Sequence, residues 1–429
     1  MVTLNRKTLV LLATGLFVAF VIATILFFNA RPEPKRVTDT ITTPYAVTDE
    51  GFKRETGILT GGPWVDGNDL TIYDRGSDIF EAMHEDIRTA TESIHKETFN
   101  YYGEDVGRPM AEALAAAAER GVEVRFVMDY LGSALASGEK LELMQEAGVE
   151  VVRWRQPAWY QLAHFNHRTH RKLLITDGTT AFTGGANTAD PWLPAPDDGG
   201  YKDYHFRLHG PIVGQLQGAF SHNWVYAENE LLSGSQYYPP LDSAGPIPMQ
   251  VTTSHPIESR QKVRKMLLYA MAAATESIRI GSAYFFPDDR FLNSMKHAAA
   301  RGVEVTLLTP GEQIDQNYVR KASRTLFGSL LEAGVHIYEY QPTMYHAKLM
   351  VVDEHFVTMG STNFDNRSFR LNDEANVNIL HEETGREMAT RFDADLENAE
   401  RITQADLDNR STWDRLYGWL VARVLGPYL

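Results

Sequence analysis

The chain repeats itself at long range. TESI occurs at residues 91 and 275, and RGVEV at 120 and 301. Around these anchors each half follows one plan. A helical apolar pattern ends in TESI, a strand-like run follows (HKETFNYY, RIGSAYFF), then an alanine-rich helix, RGVEV and a buried strand, and later AGVEVVRW or AGVHIYEY. Solenoid repeats have periods of roughly 20–50 residues, so an offset near 180 is a domain duplication. Alternating helix and strand patterns predict α/β sheets with helical crossovers. Each RGVEV glycine falls where a helix ends and a strand begins, a position that favours a left-handed backbone.

Polar residues recur inside the duplication. The first copy reads HRKLLITDGTTAFTGGAN, with His170, Lys172, Asp177, Gly184, Gly185 and Asn187. The second reads HAKLMVVDEHFVTMGSTN, with His346, Lys348, Asp353, Gly360, Ser361 and Asn363. All spacings agree. A copied structural strand would explain the agreement, but not a His and a Lys two apart in an otherwise apolar run. Residues two apart on a strand share a face, so each His–Lys pair points one way. Two ammonium groups with the Asn187 and Asn363 amides suit one phosphate. Two imidazoles can flank its phosphorus, one attacking and one protonating the leaving oxygen. The lysines supply the positive charge, so the reading needs no metal and no cofactor.

A histidine in such a role needs a carboxylate on its other ring nitrogen. Asp203 and Glu374 lie 33 and 28 residues after His170 and His346. By spacing alone each is equally well a surface acid. Glu97 and Asp105 are candidates for the pocket mouth or for surface charge. Trp192 and Tyr201 read as core packing before lipid contact. His164, His167 and His170 form a three-spaced run, but on a strand or loop they would not converge on a metal.

The first thirty residues are distinct. Thr8 to Phe28 carries no charge over 21 residues. At ~1.5 Å per residue that spans a hydrocarbon core of ~30 Å. The run exceeds the ~7–15 apolar residues of a signal peptide, and Phe28-Asn29-Ala30 is a poor cleavage site. The expectation is one uncleaved transmembrane anchor over residues 1–30. Arg6 and Lys7 before it, and Arg31, Lys35 and Arg36 after it, leave its orientation open. Residues 31–60 read as a linker, 61–245 as the first domain and 246–429 as the second. In the last, Trp413, Leu416, Leu420 and Val424 are at helical spacing, which reads first as a helix packed on the core and second as a membrane contact. The net charge of −15 disfavours a nucleic-acid partner, and the absence of cysteine excludes disulfides and thiolate chemistry.

The paired motifs resemble those of the phospholipase D superfamily. With FNHRTHRK, GPIVGQLQGAFSHNW and STNFDNRSFRLNDEANV, the chain is similar to bacterial cardiolipin synthases from about residue 60 onward. The resemblance implies two phospholipase D-like α/β sandwich domains related by a pseudo-two-fold axis. It implies a phosphohistidine intermediate on His170, with His346 as acid and then base. By the same matching Asp203 orients His170, Glu374 orients His346, and Asp177 and Asp353 support the pocket from behind. The substrate would be phosphatidylglycerol or a similar phospholipid at a bacterial cell membrane. A phospholipase D yielding phosphatidic acid and, more distantly, a nucleic-acid phosphodiesterase are the rival activities. Synthases of this type often have two N-terminal spans, and one is visible here. Gly184-Gly185 also departs from Gly360-Ser361.

Overall fold

The structure, a computed structural model, describes residues 6–30, 41–156, 166–256 and 261–429. The first half contributes β1 (Val65–Tyr73), β2 (Ser93–Thr98), β3 (Glu123–Asp129), β4 (Glu150–Trp154), β5 (Arg168–Thr169), β6 (Leu173–Thr176), β7 (Thr180–Gly184) and β8 (His205–His209). The second contributes β9 (Ile247–Ser254), β10 (Ser277–Ser282), β11 (Phe285–Phe286), β12 (Glu304–Pro310), β13 (His336–Tyr340), β14 (Lys348–Val352), β15 (Phe356–Gly360), β16 (Phe364–Asp365), β17 (Asn372–Leu380) and β18 (Ala399–Arg401).

One sheet runs through both halves in the order β18-β13-β12-β10-β14-β15-β17-β9-β1-β8-β7-β6-β2-β3-β4. Its seam is the antiparallel pair β1–β9. Read outward from the seam, the halves are equivalent: β1-β8-β7-β6-β2-β3-β4 matches β9-β17-β15-β14-β10-β12-β13. The outer strands β2-β3-β4 and β10-β12-β13 are parallel and joined by helical crossovers. The glycines of the two RGVEV turns adopt the left-handed conformation expected of them, with φ of 92° at Gly121 and 91° at Gly302.

Past Lys348, which opens β14, the motif strands LLIT and LMVV are almost wholly apolar because helices cover both faces of the sheet. Leu173 and Ile175 of β6 share a core with Leu349 and Val351 of β14, beneath the helices Ile212–Glu228 and Glu382–Leu396. Leu174 points the other way, into the core of helices Gly76–Thr89 and Gly107–Glu119. Met350 and Val352 do the same toward helices Lys262–Ala273 and Asp289–Ala300. The chemistry therefore has to sit at the strand ends, where this double cover stops.

Two sequence expectations change at the margins. Residues 41–60 are not a bare linker: Glu50–Thr60 is a helix whose Phe52 is buried against Tyr269 and Phe356. The helix Thr412–Val424 does form, but its stripe of Trp413, Leu416, Leu420 and Val424 faces outward. It packs on the helix Asn317–Leu331 through Gly418 and Val421 instead. A methyl group added at Gly418 would lie 2.5 Å from the Lys321 carbonyl oxygen, so a small residue marks the docking face. Among the described residues one helix, Arg6–Ala30, is long and apolar enough to cross a membrane, and its stretch Arg6–Thr24 is not buried against the protein.

Candidate active site

Each motif enters its strand by pairing with the other half of the molecule. β5, just before His170, runs parallel to the start of β17, and the His170 amide donates to the Asp373 carbonyl at 2.9 Å. Across the seam, Tyr345 bridges to Lys202, and the His346 amide donates to the Lys202 carbonyl at 2.7 Å. Asp373 and Lys202 immediately precede Glu374 and Asp203. The backbone thus delivers each carboxylate to the histidine of the opposite half.

The side chains follow. Nδ1 of His170 donates to Glu374 at 3.0 Å (Oε1) and 3.1 Å (Oε2). Nδ1 of His346 donates to Asp203 Oδ2 at 2.7 Å. This corrects the within-half assignment: Glu374 orients His170, and Asp203 orients His346. An ionised carboxylate only accepts, so each Nδ1 carries the proton and each Nε2 keeps its lone pair for chemistry.

The Gly-Gly and Gly-Ser difference now has a cause. Ser361 Oγ donates to Glu374 Oε2, and Asn372 Nδ2 adds a second donor at 3.1 Å. At the equivalent Gly185 a methyl group would lie 2.0 Å from Asp203 Oδ1, so no side chain fits. Asp203 takes its donors elsewhere, from Trp192 Nε1 at 2.9 Å and the Tyr204 amide at 2.8 Å. Trp192 is therefore more than packing. It fixes the acid and sets its ring edge-on to His346, with centroids 4.9 Å apart. Tyr201 stacks on His346 at 5.9 Å, and Phe99 meets His170 edge-on at 5.1 Å.

Lys172 and Lys348 are buried beside the histidines. Lys172 Nζ donates to the His170 carbonyl at 2.6 Å. Lys348 Nζ donates to the His346 carbonyl and lies 2.8 Å from Nδ1 and 3.2 Å from Nε2 of that ring. The Nδ1 proton is committed to Asp203, so only Nε2 can accept from the ammonium.

Burial dominates the electrostatics. It pushes His170 down to about 4 against the pull of Glu374. Burial and the Lys348 charge push His346 down to about 3. Burial lowers Lys348 to about 8 and Lys172 well below the usual lysine range. For Asp203, burial is outweighed by His346 and Lys348; for Glu374, by His170. Both stay below the ordinary carboxylate range and ionised. At neutral pH the pocket holds two carboxylates, two neutral imidazoles and the Lys348 ammonium, while burial works against the charge on Lys172. An entering phosphodiester adds one negative charge, which favours protonating one imidazole. The two imidazoles are therefore neutral in the empty pocket, and the charge of an anionic ligand pulls a proton toward one of them.

Other sequence candidates fall elsewhere. Asp177 accepts from the amides of Thr91, Glu92 and Ser93 at 2.8–3.1 Å, and Asp353 from those of Thr275, Glu276 and Ser277 at 2.8–2.9 Å. Both sit past the far ends of their strands with positive φ, 52° and 51°. Seven extended residues put roughly 20 Å between them and the histidines. They fasten the TESI turns rather than back the pocket. Asn187 is buried with its oxygen held by the Asn100 amide at 3.1 Å, while Asn363 Oδ1 is buried without a hydrogen bond. Glu97 is fully buried, not at a mouth. It accepts from Thr169 and, at 2.6 Å, from Asn223, and so stiffens the approach to His170. Asp105 is exposed. His164 lies outside the described residues. Among those described, no group of three or more His, Asp or Glu side chains is arranged to hold a metal.

Two half-sites meeting at a seam, each with one His and one Lys, define a phospholipase D-type centre. The family described as "Cardiolipin synthase, PLD-like domain" matches residues 83–193 and 267–396, and the chain belongs to it and to the phospholipase D superfamily. It is 34% identical over 349 residues to cardiolipin synthase 2 of Staphylococcus epidermidis, covering 80% of this chain and 71% of that protein. It is 32% identical over 379 residues to a cardiolipin synthase of Halalkalibacterium halodurans, covering 86% and 74%. The fold is shared with phosphatidylserine synthase of Haemophilus influenzae Rd KW20, at a TM-score of 0.66 and 12% identity, over 88% of this chain and 98% of that one. With bacterial relatives and one N-terminal apolar helix, the chain fits a single-pass anchor in a bacterial cell membrane.

Proposed function

We propose that this protein is a membrane-anchored phosphatidyltransferase that makes cardiolipin from phosphatidylglycerol. The crossed geometry carries the reading: two imidazoles, each oriented by a carboxylate of the other half, beside two buried lysines. Similarity to cardiolipin synthases over four-fifths of the chain supplies the substrate class.

His170 Nε2 attacks the phosphorus of one phosphatidylglycerol. The bond from phosphorus to the glycerol headgroup oxygen breaks, and His346 Nε2–H gives that oxygen its proton. A hydroxyl of a second phosphatidylglycerol then loses its proton to His346. Its oxygen attacks the phosphohistidine, the P–N bond breaks, and His170 returns to neutrality. The products are cardiolipin and glycerol. Lys172 and Lys348, with the Asn187 and Asn363 amides, neutralise the phosphoryl oxygens as charge builds on them.

The test is incubation of the purified full chain with labelled phosphatidylglycerol and no added metal. Cardiolipin with released glycerol supports the proposal. Phosphatidic acid as the sole product would make water the acceptor and the protein a phospholipase D. No turnover of any phospholipid would overturn both.

A further inference from the structure

The helix Thr412–Val424 is apolar on two faces. One face docks on the protein through Gly418 and Val421. The other is bare: Trp413 is 79% exposed, Trp419 58% and Leu416 51%, with Tyr417, Leu420 and Val424 beside them. At 100° per residue these six cover an arc of roughly 160°. Single exposed apolar residues are ordinary, but a contiguous patch marks an interaction surface.

The side chains around the patch say what covers it. Arg415 is exposed at its edge and Arg423 is exposed within it, between Trp419 and Leu416. The helix's one acid, Asp414, is already paired with Lys321 at 2.8 Å. The free charge is therefore positive. Two tryptophans, a tyrosine, aliphatic residues and arginines on one helix face suit the interface of an anionic bilayer, where indole and phenol rings sit at headgroup level. A protein partner matched to this face would need acids at its rim, whereas the other long run of exposed apolar side chains among the described residues is the membrane-spanning stretch Arg6–Thr24.

The helix is also joined rigidly to the catalytic pocket. Val421 and Leu429 share a small core with Phe286 and Met344, and Tyr201 and Tyr284 pack against that core. The same two tyrosines ring His346, with centroids at 5.9 and 6.5 Å. The chain end is pinned beside the second motif: the Arg367 amide donates to the Leu429 carbonyl at 2.8 Å, and Arg367 Nε to the Tyr428 carbonyl at 3.1 Å.

We propose that the outward face of helix Thr412–Val424 inserts into the headgroup layer of an anionic phospholipid bilayer and sets the His346 side of the pocket against the lipid. The bilayer is thereby held at two places, the N-terminal span and this helix. The role assigned to the contact, presenting bilayer substrate to the pocket, rests on the phosphatidyltransferase reading; the contact itself does not.

The chain has no cysteine, so a single introduced cysteine reports one position. Full-length Leu420→Cys and, as an exposed control far from the patch, Glu119→Cys are labelled with an environment-sensitive fluorophore. Both are reconstituted in phosphatidylglycerol-containing vesicles. The label at 420 shifts to the blue, is shielded from aqueous iodide and is quenched by acyl-brominated lipid; that at 119 is not. Equal iodide quenching at the two positions overturns the proposal. So does shielding that appears only at high protein-to-lipid ratio, which would make the face a contact between copies. Neither reading requires turnover, so each stands whatever the activity assay returns. In the second arm, full-length Trp413→Glu/Leu420→Glu loses about tenfold or more of its turnover on bilayer phosphatidylglycerol and keeps that on monomeric short-chain phosphatidylglycerol. Parallel loss on both substrates contradicts the presenting role.

Discussion

Glu374 accepts the Nδ1 proton of His170 at 3.0 Å, although the two residues are 204 positions apart and belong to different copies of the duplicated unit. Neither half is therefore a complete catalytic unit, since each histidine depends on the other half for its tautomer. Glu374→Gln keeps the shape but offers an amide N–H where His170 needs an acceptor. The wrong tautomer puts a proton on the attacking nitrogen. By analogy with carboxylate-to-amide changes in triads, kcat falls by roughly 10³–10⁴ with little change in the folded fraction. Steady-state kinetics and circular dichroism on the same preparation check this. Retention of more than a tenth of wild-type kcat would mean that the bond does not set the tautomer.

The two orienting acids are supported unequally. Ser361 donates to Glu374, whereas the backbone at Gly185 leaves no room for a side chain next to Asp203. Making the halves alike should hurt in both directions, by different routes. Ser361→Gly removes one donor to a buried carboxylate, a loss of ~1.5–3 kcal/mol that shows as reduced kcat or lowered Tm. Gly185→Ser forces Asp203 off His346 and abolishes turnover. Normal activity in Gly185→Ser would show that the loop yields freely.

Much of this was readable in the chain, for identifiable reasons. The duplication copied sequence as well as structure, so TESI and RGVEV announced two equivalent halves, and apolar runs around a polar His–Lys pair announced buried strands with a working end. The pairing of acids was hidden. Asp203 follows His170 in sequence, and nothing in a linear pattern says that β5 will pair with the start of β17. The role of Asp177 was hidden too, because an acid at a strand end reads alike whether it faces a substrate or caps a turn. At the C-terminus, apolar spacing gave a helix but not its docking side. Gly418, the small residue where backbones approach, was the signal that would have separated the two faces.

If Asp177 fastens a turn, its loss should cost stability and spare chemistry. It accepts from three backbone amides, each at 3.0 Å or closer. Asp177→Asn tolerates the left-handed backbone but loses the charge that strengthens those bonds. We expect about 1.5–3 kcal/mol lower stability by denaturant unfolding, and kcat within threefold of wild type at a temperature where the variant is folded. A hundredfold fall in kcat with unchanged unfolding would return Asp177 to the catalytic group.

The buried ionisable groups fix two pH effects. His170 and His346 have folded values of about 4 and about 3, below the unfolded value near 6.5. The unfolded chain therefore binds more protons between these limits. Stability is fully present above about pH 6.5 and drains away as pH falls toward 4. Asp203 and Glu374, also depressed, add to the loss below about pH 4. Denaturant midpoints should fall steadily from pH 7 to pH 4, and less so in His170→Ala/His346→Ala. On the alkaline side Lys348, at about 8, loses its proton, so kcat/KM declines from about pH 8 rather than near the ordinary lysine value of ~10.4. A flat profile to pH 10 would exclude Lys348 as the charge that binds phosphate.

The division of labour between the histidines is the last point open to direct test, because the pseudo-symmetry makes the two look interchangeable. They differ in what each step asks of them. Attack by His170 needs only its Nε2 lone pair. Departure of glycerol needs a proton from His346, but a nitrophenolate leaves without one. In His346→Asn, a phosphatidyl p-nitrophenol donor should therefore react once and stop. A burst of about one nitrophenolate per site forms, and the acyl-bearing phosphoryl group stays on His170, because no base remains to activate an acceptor. The adduct is acid-labile and base-stable, as expected of a P–N bond, and intact-mass analysis places it on the peptide containing His170. His170→Asn gives no burst. A burst in His170→Asn with the adduct on the His346 peptide would reverse the assignment while leaving the crossed carboxylate pairs as they stand.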